Sequence, residues 1–110
     1  MANNDLLVEM GNRIAKLRKL KKLSQEVLAE KADVSIQTIS SAERGTKALR
    51  PINLLNICKA LDTSADYLLT GKTSEIEISA MQEKLQKLPS DQFHIIEEIV
   101  DKCIELCSLS

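Results

Sequence analysis

Apolar residues recur at intervals of three and four along most of this chain, which is the spacing of one face of an α-helix. Between residues 24 and 44 the pattern predicts two short helices separated by a tight break. Val27, Leu28 and Ala32 supply the buried face of the first of these helices. The break is expected at Asp33 and Val34, which interrupt this apolar stripe.

The second short helix has an unusually polar outer face. Ser35 offers a hydroxyl that caps its start, and only Ile36, Ile39 and Ala42 remain for its inner side. The outward positions carry amides, hydroxyls and one guanidinium: Gln37, Thr38, Ser40, Ser41 and Arg44. Such a surface suits the edges of base pairs, so the two helices predict a helix-turn-helix DNA-binding motif at about residues 25–44.

Three more helices are predicted around this motif. The first covers residues 6–20, the fourth begins at Pro51, and the fifth is short and ends near Gly71. The inward positions are Met10, Ile14 and Leu17 in the first helix and Leu54, Leu55, Ile57, Cys58 and Leu61 in the fourth. Because aromatic residues make up only 2% and no strand pattern is visible, we expect an all-α chain with a five-helix domain at residues 1–72.

Residues 73–110 predict a second unit, a hairpin of two helices joined by a turn at Pro89. Its apolar seams are Ile78, Met81, Leu85 and Leu88 on the first helix, and Phe93, Ile96, Val100, Cys103 and Cys107 on the second. Seams of this kind need a partner, so we expect oligomerisation. The residues expected to carry it are Phe93, Ile96, Ile99, Val100, Cys103 and Cys107. Docking onto the first domain of the same chain is the alternative.

The two parts differ in charge. Residues 1–72 contain 12 Lys or Arg and 8 Asp or Glu, a net charge of +4, whereas residues 73–110 contain 3 and 8, a net charge of −5. The overall charge of −1 hides this asymmetry. A basic first part suits a polyanionic partner, and the acidic second part indicates a different one.

Several other function classes find no support in the sequence. No phosphate-binding glycine loop or nucleophile with a base is visible, so we expect neither an enzyme nor a cofactor. Cys103 and Cys107 lie one helical turn apart, but His94 is the sole histidine and no CxxC occurs, so no metal site is expected. Without a membrane-spanning run, a secretory leader or a disulfide framework, the sequence predicts a cytoplasmic protein.

From Gly11 to Gly71 the chain resembles the phage repressor/Cro type of helix-turn-helix protein, the XRE family. RIAKLRKLKKLSQEVLAEKADVSIQTIS, AERG and LLNICKALDTSADYLLTG carry this resemblance. It implies a lambda-repressor-like domain of five helices that binds operator DNA as a dimer, with its third helix in the major groove. The domain order is also similar to small biofilm and sporulation repressors of bacilli, in which the acidic hairpin self-associates and binds an antagonist protein.

The resemblance also implies roles for individual residues. Arg18 and Glu43 match positions that form an internal ion pair in relatives, and Tyr67 stands where an aromatic residue packs beneath the last helix. The residues expected to face base pairs are Ser35, Ile36, Gln37, Thr38, Ser40 and Ser41. Gln25 is expected from the resemblance to hold the DNA backbone. Arg44, on the outward face of the third helix, and Lys47 and Arg50, on the loop after it, are expected to contact the backbone because of their positions. Gln37 is the first choice for direct readout, because glutamine can bond adenine bidentately.

The sequence therefore predicts a sequence-specific regulator of transcription that binds double-stranded DNA, and a dimeric repressor in particular. Two alternatives stay open. One is an antitoxin whose second segment binds a toxin, and the other is a protein-interaction module that no longer binds DNA.

Overall fold

Seven α-helices and no β-strand make up residues 2–108, the part of the chain described in the computed structural model; side chains are described from Asp5 onward. The helices are α1 (Ala2–Leu20), α2 (Gln25–Ala32), α3 (Ile36–Arg44), α4 (Pro51–Leu61), α5 (Ala65–Thr70), α6 (Glu75–Gln86) and α7 (Ser90–Ser108). The all-α class is confirmed. α1 begins four residues earlier than predicted, because its first residues are polar and add nothing to the apolar pattern.

The chain divides into two compact units between Ser74 and Glu75, two residues beyond the boundary placed from the sequence. The N-terminal unit is built around aliphatic side chains contributed by all five of its helices. Those that are fully buried are Ile14, Leu28, Ile39, Ile57, Leu61 and Leu68. Tyr67 packs against this core from a partly buried position. Since α3 contributes Ile39 and Ala42 to the same core, its polar face is held outward.

Residues in the left-handed conformation end several of these helices, and Asp33 is one of them, with φ 56° and ψ 46°. This backbone lets the Asp33 N–H donate to the Glu30 carbonyl at 3.3 Å and the Val34 N–H to the Ala29 carbonyl at 3.0 Å. The two bonds satisfy carbonyl groups that the end of α2 leaves without helical partners. The turn expected at Asp33 is thus confirmed.

Three residues predicted for the core lie at the surface instead. Val27, Ile36 and Leu55 are 38%, 46% and 47% exposed. Each residue of a helix is rotated by about 100° from the one before it, so a short helix turns only one or two positions per turn inward. In α2 those positions belong to Leu28, Ala29 and Ala32. The spacing of apolar residues along the sequence does not show which of several adjacent ones faces the core.

The C-terminal unit consists of α6 and α7, and no residue described in either helix is buried. A turn joins them, in which the Leu88 N–H donates to the Leu85 carbonyl at 3.2 Å. Close backbone packing between helices occurs within α1 to α5, and the pair α6 and α7 does not show it. The two predicted helices and their turn therefore form, and most residues of their apolar seams stay exposed, although Leu85, Leu88 and Ile96 are partly buried.

Candidate nucleic-acid interface

Serine hydroxyls start both helices of the central motif. Ser24 accepts a hydrogen bond from the Val27 N–H at 3.0 Å, and Ser35 accepts one from the Thr38 N–H at 3.0 Å. The hydroxyl groups of Ser35 and Thr38 also lie 2.8 Å apart. These bonds define where α3 begins. Both hydroxyls, which the sequence analysis assigned to base contacts, already have an intramolecular partner, and each retains capacity for another hydrogen bond.

A glycine in the middle of α1 allows this helix to cross the end of α3 at short range. A Cβ atom added at Gly11 would overlap the carbonyl oxygen of Ala42 and lie 2.6 Å from that of Glu43. Only glycine fits between these backbones without displacing one of them. Gly11 was assigned no role from the sequence, although an isolated glycine within a helical pattern is a signal of close packing.

An ion pair of low exposure ties α1 to α3. Arg18 Nε donates to Glu43 Oε2 at 2.7 Å and Nη2 donates to Oε1 at 3.1 Å, while Nη1 donates to the Leu23 carbonyl at 2.8 Å. Only 13% of the Arg18 side chain and 8% of the Glu43 side chain are exposed. The hydrogen bond to Glu43 raises the pKa of Arg18 above its usual value; partial burial opposes this rise and the charge of Glu43 adds to it. The ion pair expected from the resemblance is therefore present.

Gln25 joins the same cluster. Its side-chain amide donates to Glu43 Oε1 at 3.0 Å, so one carboxylate holds α1, α2 and α3 together. From the sequence, this amide was expected to contact the DNA backbone. In the structure one of its two N–H groups is engaged within the protein, and Gln25 does not line the groove formed by α3 and the segment after it.

The outer side of α3 and the segment that follows it form an open groove of about 700 Å³, called here the α3 groove. Its lining residues are Ser35, Gln37, Thr38, Ser40, Ser41, Arg44, Lys47, Ala48, Leu49, Arg50 and Asn53. Arg44, Lys47 and Arg50 are cationic, and no lining residue is acidic. A strip of hydroxyl and amide groups beside three positive charges suits base edges together with phosphates.

The α3 groove brings together all the predicted DNA contacts except Ile36 and Gln25. Ile36 is exposed on the same helix but lies beside the groove rather than in its lining. Asn53 was missed. It is the third residue of α4, and the signal that could have found it is Pro51, because proline at the first helical position places the start of α4 directly after the basic loop.

The C-terminal unit carries a separate surface on α7. Phe93, Ile99, Val100 and Ile104 are exposed, and Ile96 is partly buried. Apolar depressions of about 540 Å³ beside the turn and about 440 Å³ farther along α7 accompany them. Cys103 and Cys107 are exposed in the single chain.

Among the described side chains, no three of the metal-binding types come together. None of the helices described in residues 2–108 has the length and apolar content needed to cross a membrane.

Comparison with known proteins settles the family. Residues 14–68, which are half of the chain and include α2, α3 and the α3 groove, match the profile of the helix-turn-helix family. The chain belongs to this family. The matched segment also includes Arg18 and Glu43, so the ion pair that positions α3 lies inside it.

Individual helix-turn-helix relatives agree with this assignment. The uncharacterized HTH-type transcriptional regulator YqaE of Bacillus subtilis (strain 168) is 33% identical over 78 residues, which are 71% of this chain and 65% of that protein. Repressor protein C2 of Salmonella phage P22 is 40% identical over 70 residues, 64% of this chain and 32% of the repressor. The chain thus spans less than two thirds of either relative.

The crystal structure of the P22 c2 repressor protein in complex with a synthetic operator is similar to this chain. The TM-score is 0.56 at 43% identity, and the match covers 57% of this chain and 96% of that one. The likeness therefore covers the operator-bound part of that repressor.

Proposed function

We propose that this helix-turn-helix protein binds a specific DNA operator and represses transcription in the cytoplasm by occupying a site that the polymerase needs. The α3 groove is the observation that carries the proposal, because it combines base-reading groups with three cations and contains no acid. The structural likeness to a repressor solved with its operator supports the same function.

In this proposal α3 enters the major groove. Gln37 faces the base edges, where its amide can bond an adenine at two points, a contact that discriminates by about 1–3 kcal/mol. Arg44, Lys47 and Arg50 lie beside it in the α3 groove and bind phosphates on the flanking backbone. The phosphate contacts fix the register of the protein, and the base contacts provide the sequence preference.

Selection of bound duplexes from random DNA with the intact chain tests the function. We expect a defined half-site, with affinity that falls steeply as salt rises. Lys47→Ala should weaken binding to all duplexes alike and reduce the slope of log K against log salt by about 0.9. Lys84→Ala removes the same charge from α6 and serves as the control. Recovery of no common sequence, or binding unaffected by salt, would contradict the proposal.

We further propose that two copies of the chain pair through α7. An arc of about 140° of this helix is apolar, since Phe93, Ile96, Ile99, Val100, Cys103, Ile104 and Cys107 fall within it at about 100° per residue. The acidic residues Asp91, Glu98, Asp101 and Glu105 fall on the opposite side, and Glu97 borders the arc beside Ile104. Two such helices can bury their apolar arcs without bringing these acidic residues face to face.

Pairing also matches the geometry of DNA. Two recognition helices that are joined as a dimer read half-sites about 34 Å apart, one turn of the duplex. Each half-site then contributes to affinity only if the two copies stay together. The C-terminal unit would thus determine how tightly the whole operator is bound, while α3 determines which sequence it has.

Val100→Asp in the full chain tests the pairing. By sedimentation we expect the native chain to be dimeric at micromolar concentration and the variant to be monomeric, because a carboxylate would have to be buried in the pair. Asp101→Ala, on the polar side of the same helix, should leave the mass unchanged. An equal mass for the native chain and Val100→Asp would contradict pairing through α7.

A further inference from the structure

Ile36 is apolar, whereas the other residues on the outer side of α3 are polar. It is the first residue of the helix and follows the cap Ser35 directly, and it remains 46% exposed. Those polar residues include Gln37, Ser40 and Arg44. Ile36 therefore leaves apolar surface in water at the end of the helix that leads into the major groove.

The core of the N-terminal unit does not require an apolar residue at Ile36. Ile39 and Ala42, which are 0% and 1% exposed, already supply the inner side of α3. At about 100° per residue, Ile36 lies only about 40° from Ser40 around the helix axis, on the edge of the outward face. Because isoleucine is β-branched, its side chain is stiff and cannot fold away from this position.

The edges of base pairs in the major groove offer one apolar group, the C5 methyl of thymine. Hydrogen-bond donors and acceptors on the other bases would lose water against Ile36 without gaining a partner. The neighbouring Gln37 has the opposite chemistry, and it lines the α3 groove. The first turn of α3 therefore carries one apolar and one amide side chain at adjacent positions.

We infer that Ile36 contacts a thymine methyl, so that the operator half-site has a thymine where the start of α3 meets the groove. This inference rests on the proposed DNA-binding function and adds the base that one residue reads. Burial of one methyl group corresponds to about a fourfold change in affinity. A 5-methylcytosine at the same place should be preferred over cytosine by a similar factor, because it carries the same methyl group.

The test replaces each thymine of the selected half-site by deoxyuridine, one at a time, and measures the affinity of the full chain. We expect one position at which loss of the methyl weakens the native chain about fourfold per half-site. Ile36→Ala should bind the thymine and uracil duplexes equally, whereas Ile36→Val should keep most of the discrimination. Ile76→Ala, an exposed isoleucine of α6, is the matched control.

The outcomes separate this inference from the function on which it rests. If the chain binds a selected operator but no uracil substitution weakens it, the thymine contact is wrong and the function stands. The same holds if Ile36→Ala loses as much on removal of the methyl as the native chain does. If no duplex is bound selectively, the proposed function itself fails. Circular dichroism of both Ile36 variants checks that α3 is still formed.

Discussion

The two units of this chain use similar apolar residues with opposite results. In the N-terminal unit, α1 to α5 each contribute at least one fully buried side chain to a shared core. In the C-terminal unit, neither α6 nor α7 has a buried residue among those described, and large apolar side chains such as Ile95 and Ile104 stay exposed. Five helices can enclose a core, whereas two helices that do not pack side by side cannot.

This difference in burial suits the two units to different roles. A unit that buries its own core can hold a polar, cationic surface at a fixed place, as the N-terminal unit holds the α3 groove. A unit with an uncovered apolar face gains stability only from a partner. The charge asymmetry agrees with this division, because the basic unit suits DNA and the acidic unit does not.

The largest effect is expected where α1 crosses α3. Gly11→Val places atoms against the backbone of Ala42 and Glu43, so we expect the free energy of unfolding of the N-terminal unit to fall by at least about 3 kcal/mol. Thermal unfolding followed by circular dichroism measures this loss. Asn12→Ala, an exposed neighbour on α1, should change stability by less than about 0.5 kcal/mol.

Gly11→Val also tests whether the C-terminal unit pairs independently of the N-terminal unit. If the C-terminal unit pairs independently of the N-terminal fold, Gly11→Val should still sediment as a dimer while it loses DNA binding. If Gly11→Val is soluble but monomeric, pairing through the C-terminal unit depends on the fold of the N-terminal unit.

A slightly smaller effect is expected at the ion pair. Glu43→Ala leaves the Arg18 guanidinium without its carboxylate at a site of low exposure, which should cost about 3 kcal/mol of stability. Glu9→Ala removes an exposed carboxylate that lies 3.6 Å from Arg13, and it should cost less than about 0.5 kcal/mol. Equal costs, measured by urea unfolding, would show that the pair of Arg18 with Glu43 does not hold α1 to α3.

The smallest effect is expected at the helix caps, and it separates stability from recognition. Ser24→Ala and Ser35→Ala each remove one hydroxyl that accepts a backbone N–H at 3.0 Å, so each should cost about 1 kcal/mol of stability. Only Ser35 lines the α3 groove, so Ser35→Ala should also weaken operator binding more than Ser24→Ala does. If the two variants bind the operator equally well, Ser35 does not contact the DNA.

The parts of the structure that follow from local chemistry could be predicted from the sequence. Ser24 and Ser35 as caps, Asp33 in the turn and the positions of the helices need only near neighbours along the chain. The polar face of α3 was also predictable, because so few of its residues are apolar. The ion pair of Arg18 with Glu43 came from the resemblance to a family and not from spacing.

The remaining features depend on which helices meet in space. Leu28, Ala29 and Ala32 turn inward in α2 while Val27 does not, and this choice is set by where α3 and α4 lie. The engagement of Gln25 with Glu43 and the place of Asn53 beside the basic loop are likewise tertiary features. The open seams of α6 and α7 could not be predicted either, since their pattern fits a closed hairpin equally well.

The most direct test of the account is the ratio of affinities for a selected operator and a scrambled duplex, measured at one salt concentration for the native chain and for Gln37→Ala. We predict that the native chain prefers its operator by about a thousandfold or more. Gln37→Ala should lower this ratio at least about fivefold while its binding to the scrambled duplex stays the same. Equal loss on both duplexes, or a native chain without preference, would contradict the account.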